Sequence, residues 1–421
     1  MLKLAEKPFV MLMLLYTTGA MMPFLGSSGS TTAANKYEIA VQIPLYAVAA
    51  CFILLHWRNF RKAAWGVQWI LALVALAVVS TAWSEVPLFT LRRGIILIAT
   101  TAFGIYFATR FDVTEQLRIL ARVCATAVCA SFLFGFFLPQ YGLDPTFQNH
   151  SWRGIFAQKN SLGRFAVLSV VVFLLVRPRA GRWLACAGVA ASLVLLLFSK
   201  SVTSVLVCGL ILGMQVVFKL FRTRFTFAVP VFCFAAAFLA LVTLGGDLTP
   251  ARVLHLLHRD LGMTGRARLW ALSWTAIVRK PWLGYGFKSF WLGMNGASAT
   301  LVQQLHWAAP TAHNGLLDVT LELGALGLAL FLIGYFALWQ RALQFLNREH
   351  SRTPVWLCTY MFFMLAYNFS ERTILEQNTI YWVLYAATAV NLYLDLPCQA
   401  QVTEPQANSA FEASVSTECR A

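Results

Sequence analysis

Charge is what this chain has least of. Only 12% of its 421 residues are Asp, Glu, Lys or Arg, about half the share in a soluble domain, and 59% are hydrophobic. That balance describes an integral membrane protein. Acid is scarcer than base: 17 acidic residues face 33 basic ones, for a formal net charge of +16. There is no CxxC pair and no cysteine–histidine ligand spacing. The nine cysteines therefore indicate neither disulfides nor zinc. Seven of them (Cys51, Cys124, Cys129, Cys186, Cys208, Cys233, Cys358) fall in apolar runs, and Cys398 and Cys419 fall in the tail.

What the chain has instead is apolar runs of bilayer-crossing length. They predict an all-α polytopic protein with about twelve spans, near 8–26, 39–57, 65–83, 94–109, 118–138, 161–177, 182–199, 201–219, 225–245, 314–340, 354–370 and 378–395. The first run follows Lys3 and Lys7 and resembles a signal peptide. Its length and the eleven further spans make it an uncleaved helix. The organisation expected is nine spans over 1–245, a long loop over 246–313, three spans over 314–395, and a polar, disordered cytoplasmic tail over 396–421.

The basic residues orient the bundle. Every second turn carries three: Arg58, Arg61 and Lys62; Arg110, Arg118 and Arg122; Arg177, Arg179 and Arg182; Lys219, Arg222 and Arg224; Arg341, Arg348 and Arg352. By the positive-inside rule these turns and both termini face the cytoplasm. The loop 246–313 then faces outward, to the periplasm of a Gram-negative inner membrane. Arg92, Arg93, Arg153, Lys159, Arg164, Lys200, Arg372 and seven cations of the long loop sit on the disfavoured side. Their expected counter-ion is an anion at the membrane surface, lipid phosphate or pyrophosphate. Ordinary headgroup contact is the alternative for any one of them.

Several outward segments concentrate this charge. Arg153-Gly154-Ile155-Phe156 and Lys159-Asn160-Ser161 lead into the sixth span. Asn160 or Ser161 is the expected cap, and the helix N-terminus favours an anion. Lys200 stands between two serines and should face a cavity or snorkel to the interface. In the long loop, residues 250–260 and 265–279 have helical periodicity. Trp270, Trp274 and Trp282 act there as interfacial anchors or, alternatively, as packing between spans. Pro281–Gly286 forms a glycine-permitted turn. His313 precedes the tenth span, where an imidazole can take a proton from a hydroxyl or simply cap the helix. Asp318 and Glu322 follow on the same helix, and Glu322 lies too far down it to touch His313.

Together these residues resemble the bacterial O-antigen ligases of the O-antigen ligase/polymerase superfamily. His313-Asn314-Gly315-Leu316-Leu317 through Glu322-Leu323-Gly324-Ala325-Leu326-Gly327 is similar to the family's histidine motif. Gly265-Arg266 with Trp270, then Pro281-Trp282-Leu283-Gly284-Tyr285-Gly286, resembles the segment before it, and Arg153–Phe156 with Lys159-Asn160 the motif ahead of the sixth span. The motifs cover residues 151–330. One departure is Lys200, where related proteins often have arginine after the serine; lysine keeps the charge and loses the bidentate fork.

The resemblance implies a GT-C-like glycosyltransferase working in lipopolysaccharide biosynthesis. Its donor would be a glycan on undecaprenyl pyrophosphate, its acceptor a sugar hydroxyl of lipid A-core, and its other partners membrane lipids, with no nucleic acid. His313 and Arg266 are the expected catalytic residues, with Arg153, Lys159, Lys200 and Arg266 on the diphosphate. Diphosphate leaves readily, so the site needs positive charge and a base. No DxD sequence occurs, and no metal or cofactor is expected. A single displacement would invert the anomeric centre. An O-antigen polymerase or a protein O-oligosaccharyltransferase would share this site. A flippase would instead distribute charge inside its spans, which here look nearly free of it.

Overall fold

The computed structural model describes residues 2–20, 36–144, 151–176, 181–220 and 266–400. Thirteen α-helices of ten residues or more organise them. They are α1 (Leu2–Thr17), α2 (Lys36–Leu55), α3 (Trp57–Gly66), α4 (Gln68–Val79), α5 (Pro87–Arg110), α6 (Val113–Phe137), α7 (Lys159–Leu175), α8 (Arg182–Phe198), α9 (Val202–Leu220), α10 (Arg266–Arg279), α11 (Gly315–Arg348), α12 (Arg352–Asn368) and α13 (Ile380–Ala400). Among the described residues the only β pairing is an isolated bridge between Leu143 and Trp152. Eleven of the expected spans coincide with helices; the ninth, 225–245, lies outside the described residues, as do residues 250–260 and the tail from 401. The tail begins later than expected, because α13 runs on to Ala400. Three helices, α5, α6 and α11, are each long and apolar enough to cross a membrane, and α2 with α3 make a fourth candidate bent by 95°.

Local chemistry sets the helix starts. Asp112 accepts the Glu115 N–H, Ser351 the Thr353 N–H, and Asn314 those of Leu316 and Leu317, so each caps its helix. Pro87 opens α5, where a missing N–H costs nothing. The α7 start differs from expectation. Gln158 is the cap position and Asn160 lies inside the first turn; Asp144 Oδ2 accepts the Lys159 N–H from across the loop, at 3.1 Å.

The largest helix is also broken. At Gly324 the backbone turns to φ 66°, and the Pro281–Gly286 turn enters the gap. Tyr285 and Gly286 donate their N–H groups to Leu321 and Glu322 carbonyls, while Ala325 and Leu326 donate to Pro281 and Trp282. Backbone groups freed by the break are thus paired across it. A Cβ on Gly324 would lie 2.2 Å from the Trp282 carbonyl carbon, so only glycine fits.

The loop before α11 has its own apolar core. Leu269, Ile277, Tyr285, Phe290, Trp291 and Leu321 pack there, with Trp270 partly buried against them. Trp270 is therefore core rather than membrane anchor: its Nε1 donates to the Ala312 carbonyl at 2.8 Å. Trp274 and Trp282 stay exposed. Nor are the helices free of internal charge. Glu322 is fully buried in α11, and Glu6 is fully buried in α1, where Arg110 and Tyr106 pair with it. The charge pattern therefore does not separate this chain from a transporter as the apolar runs suggested.

Candidate functional site

The site forms where four helix ends meet the turn 369–379 between α12 and α13. Asn368 ties down that turn. Its side-chain carbonyl accepts the Thr373 and Ile374 N–H groups, and its amide reaches the Met364 carbonyl. Gly315 lets α11 start directly on it, since a Cβ there would sit 1.9 Å from Asn368 Oδ1.

His313 is the residue before the Asn314 cap, and its backbone is left-handed at φ 51°. Left-handed geometry costs a non-glycine residue energy, so its neighbours must hold it there. Asp318, fully buried one turn into α11, accepts the Ala312 N–H at 3.0 Å and Trp291 Nε1 at 2.7 Å. Trp270 holds the other side of Ala312.

The imidazole meets Glu371. His313 Nδ1 lies 3.3 Å from Glu371 Oε2, and an ionised carboxylate only accepts, so Nδ1 carries the proton and Nε2 is left to accept. Glu371 Oε1 takes Arg266 Nη2 at 3.3 Å and Asn160 Nδ2 at 3.4 Å. Asn160 in turn accepts from Ser201 Oγ, at 3.1 Å, at the head of α9. One carboxylate thus gathers α7, α9, α10 and the start of α11. Burial alone would raise the Glu371 pKa. The hydrogen bond to His313 and the charges of Arg266 and Arg164 outweigh burial and hold it below the ordinary carboxylate range. Arg164, one turn after Asn160, donates to the Arg372 carbonyl and lies 4.5 Å over the Tyr381 ring.

Beneath this group is a second one, built on a buried pair. Arg372 makes a two-pronged pair with Glu322, at 2.5 and 2.8 Å, and reaches Glu376 with Nε at 2.8 Å. Lys288 closes the chain on Glu376 at 2.7 Å. Burial and the nearby Arg372 hold the Lys288 ammonium below the ordinary lysine range, although Glu376 pulls the other way.

Of the residues singled out in the sequence, His313 and Arg266 come together. Arg153 does not join them, because its Nε donates to the Tyr141 carbonyl at 2.8 Å. Lys159 is buried beside Asn160, at 3% exposure. Lys200 is exposed at a left-handed turn, φ 50°. Glu371, Asn160's amide and the Glu322–Arg372 pair escaped the sequence reading. Their signal was a charged Glu371-Arg372 pair wedged between apolar runs, which needs partners.

An O-antigen ligase family profile matches residues 160–332, which include Asn160, Arg266 and His313. The chain belongs to the O-antigen ligase/polymerase superfamily, and it is a multi-pass membrane protein. One curated relative, the exopolysaccharide production protein ExoQ of Rhizobium meliloti (strain 1021), is 30% identical over 302 residues, covering 68% of this chain and 67% of the relative.

Proposed function

We propose that the protein is an O-antigen ligase, moving a glycan from undecaprenyl pyrophosphate to a sugar hydroxyl of lipid A-core. The observation that carries this reading is the His313–Glu371–Arg266 cluster, a base beside fixed positive charge at one end of the bundle. In this reading the chain crosses the inner membrane twelve times in a GT-C-like arrangement. Both termini lie in the cytoplasm, and the 246–313 loop lies in the periplasm.

His313 Nε2 takes the proton of the acceptor hydroxyl as its oxygen bonds to the anomeric carbon. The bond from that carbon to the diphosphate oxygen breaks on the opposite face, so the configuration inverts. Glu371 keeps the proton on Nδ1 throughout. Arg266 and Arg164 receive the charge that collects on the departing diphosphate, with Arg153 and Lys200 guiding its approach. These cations supply the leaving-group stabilisation, so no metal step is needed.

The test is the lipopolysaccharide banding pattern of a deletion strain complemented with wild type or His313→Ala. Loss of the ladder with donor accumulating supports the ligase; wild-type ligation by His313→Ala at matched expression sinks the site assignment. Activity abolished by EDTA and restored by Mg²⁺ would sink the metal-free mechanism. A second reading, polymerase, is favoured by the relative that is named for exopolysaccharide production. There the acceptor is a growing glycan, and a single-repeat band in the deletion strain identifies it.

A further inference from the structure

We propose that α3 is a docking surface for anionic phospholipid, on the side of the membrane opposite the His313 site. This inference is independent of the ligase reading. The sequence shows residues 58–64 only as a turn with three cations between two spans. In the structure this turn is a ten-residue helix, bent 95° from α2. With α2 crossing the membrane, a helix at a right angle to α2 runs along the membrane plane.

Its position follows from α5. The start of α5 touches the loop that carries the site, through Thr90 Oγ1 and the Phe287 carbonyl at 3.0 Å. Sixteen residues further along the helix, a rise of about 24 Å, Tyr106 stands against His56, the residue at the bend. His56 Nδ1 bonds the Phe52 carbonyl at 3.0 Å, and its Nε2 lies 3.9 Å from the buried Glu6. The bend is therefore built into the fold.

The two faces of α3 differ. Ala63 is buried and Phe60 partly buried, turned toward the bundle. At its end Gly66 admits the Tyr393 ring, where a Cβ would lie 2.1 Å from a ring carbon, and Arg341 covers that ring at 5.4 Å. The free face interleaves aromatics and cations. Trp57, Arg61 and Trp65 follow at i, i+4 and i+8, with Arg58 and Lys62 alongside, all exposed; Trp65 is 77% exposed. The helix has no acidic residue. Exposed indole rings suit the headgroup layer, and three cations with no acid call for phosphate of net negative charge. A zwitterionic headgroup satisfies the indoles but not the charge.

The test uses the purified full-length chain in detergent, with phosphatidylglycerol and phosphatidylcholine titrated in turn and bound lipid counted by native mass spectrometry. Wild type should retain phosphatidylglycerol preferentially. Arg58→Gln, Arg61→Gln and Lys62→Gln should each weaken that retention about fivefold, leave phosphatidylcholine unchanged, and combine in the triple variant. A charge-matched control, Arg122→Gln with Arg182→Gln and Arg348→Gln, should stay near wild type. Equal retention in wild type and the single variants overturns the proposal. So does an equal loss in the control, or a dimer that the α3 variants dissolve.

Discussion

The two ion clusters on either side of Arg372 are built from the same residue types and do opposite things. The lower one balances Glu322 and Glu376 against Arg372 and Lys288, two charges of each sign. Glu322 and Arg372 are almost wholly buried. The upper one has a single acid, Glu371, facing His313, Arg266 and Arg164, and it is partly open. A charge-balanced cluster around a buried pair fixes the position of its elements. One with surplus positive charge is unbalanced, and in the proposed reading the donor's diphosphate supplies the missing anion. The comparison assigns stability to one cluster and chemistry to the other, and that division can be broken.

The largest effect should come from His313→Ala. Removing a general base costs on the order of 10²–10⁴ in rate, while the thermal midpoint should hold, because His313 is partly exposed. A large drop in midpoint would mean that the upper cluster is structural too. The lower cluster should behave in reverse. Arg372→Ala strands Glu322 in the interior and should destabilise by about 3–5 kcal/mol in denaturant unfolding. The double variant Glu322→Leu with Arg372→Met should lose less than Arg372→Ala alone, since no charge is left unpaired. If the double is worse, the pair has a role beyond neutralising itself.

Arg266→Ala should weaken donor binding by the worth of a charged hydrogen bond, about 1.5–3 kcal/mol, read as a raised KM for the lipid-linked donor. Arg153→Ala should cost less, because Tyr141 already occupies its Nε. Equal losses would move the diphosphate toward Arg153 and redraw the boundary of the upper cluster.

The contrast between the clusters explains what could be read in advance. His313 and Arg266 each sit in a short motif, so local sequence carries them. Glu371 is 58 residues from His313 and meets it only because α12 and α13 pack the turn between them against the head of α11. No periodicity encodes such a meeting. The Pro281–Gly286 turn and Gly324 were each visible as glycine positions, but their interlock depends on backbone hydrogen bonds between distant segments. The spans were readable because burial in lipid demands long apolar runs. The 95° bend at His56 was not, since a short stretch with three cations satisfies a turn as well as a helix in the membrane plane.

The smallest and sharpest test concerns Glu371 itself. Its folded pKa is lowered, so its stabilising contribution is complete above the unfolded value of about 4.3. It disappears as pH falls through the lowered folded value. Wild type should therefore melt above Glu371→Gln at pH 6, and the gap should close as the pH falls below the ordinary carboxylate range. Over the same interval, Arg266→Ala should close part of the gap beforehand, because it removes one of the charges that lower Glu371. A gap that widens toward acid would mean that Glu371 is held protonated. It would then donate to His313 rather than accept from it, and the base would be the wrong nitrogen.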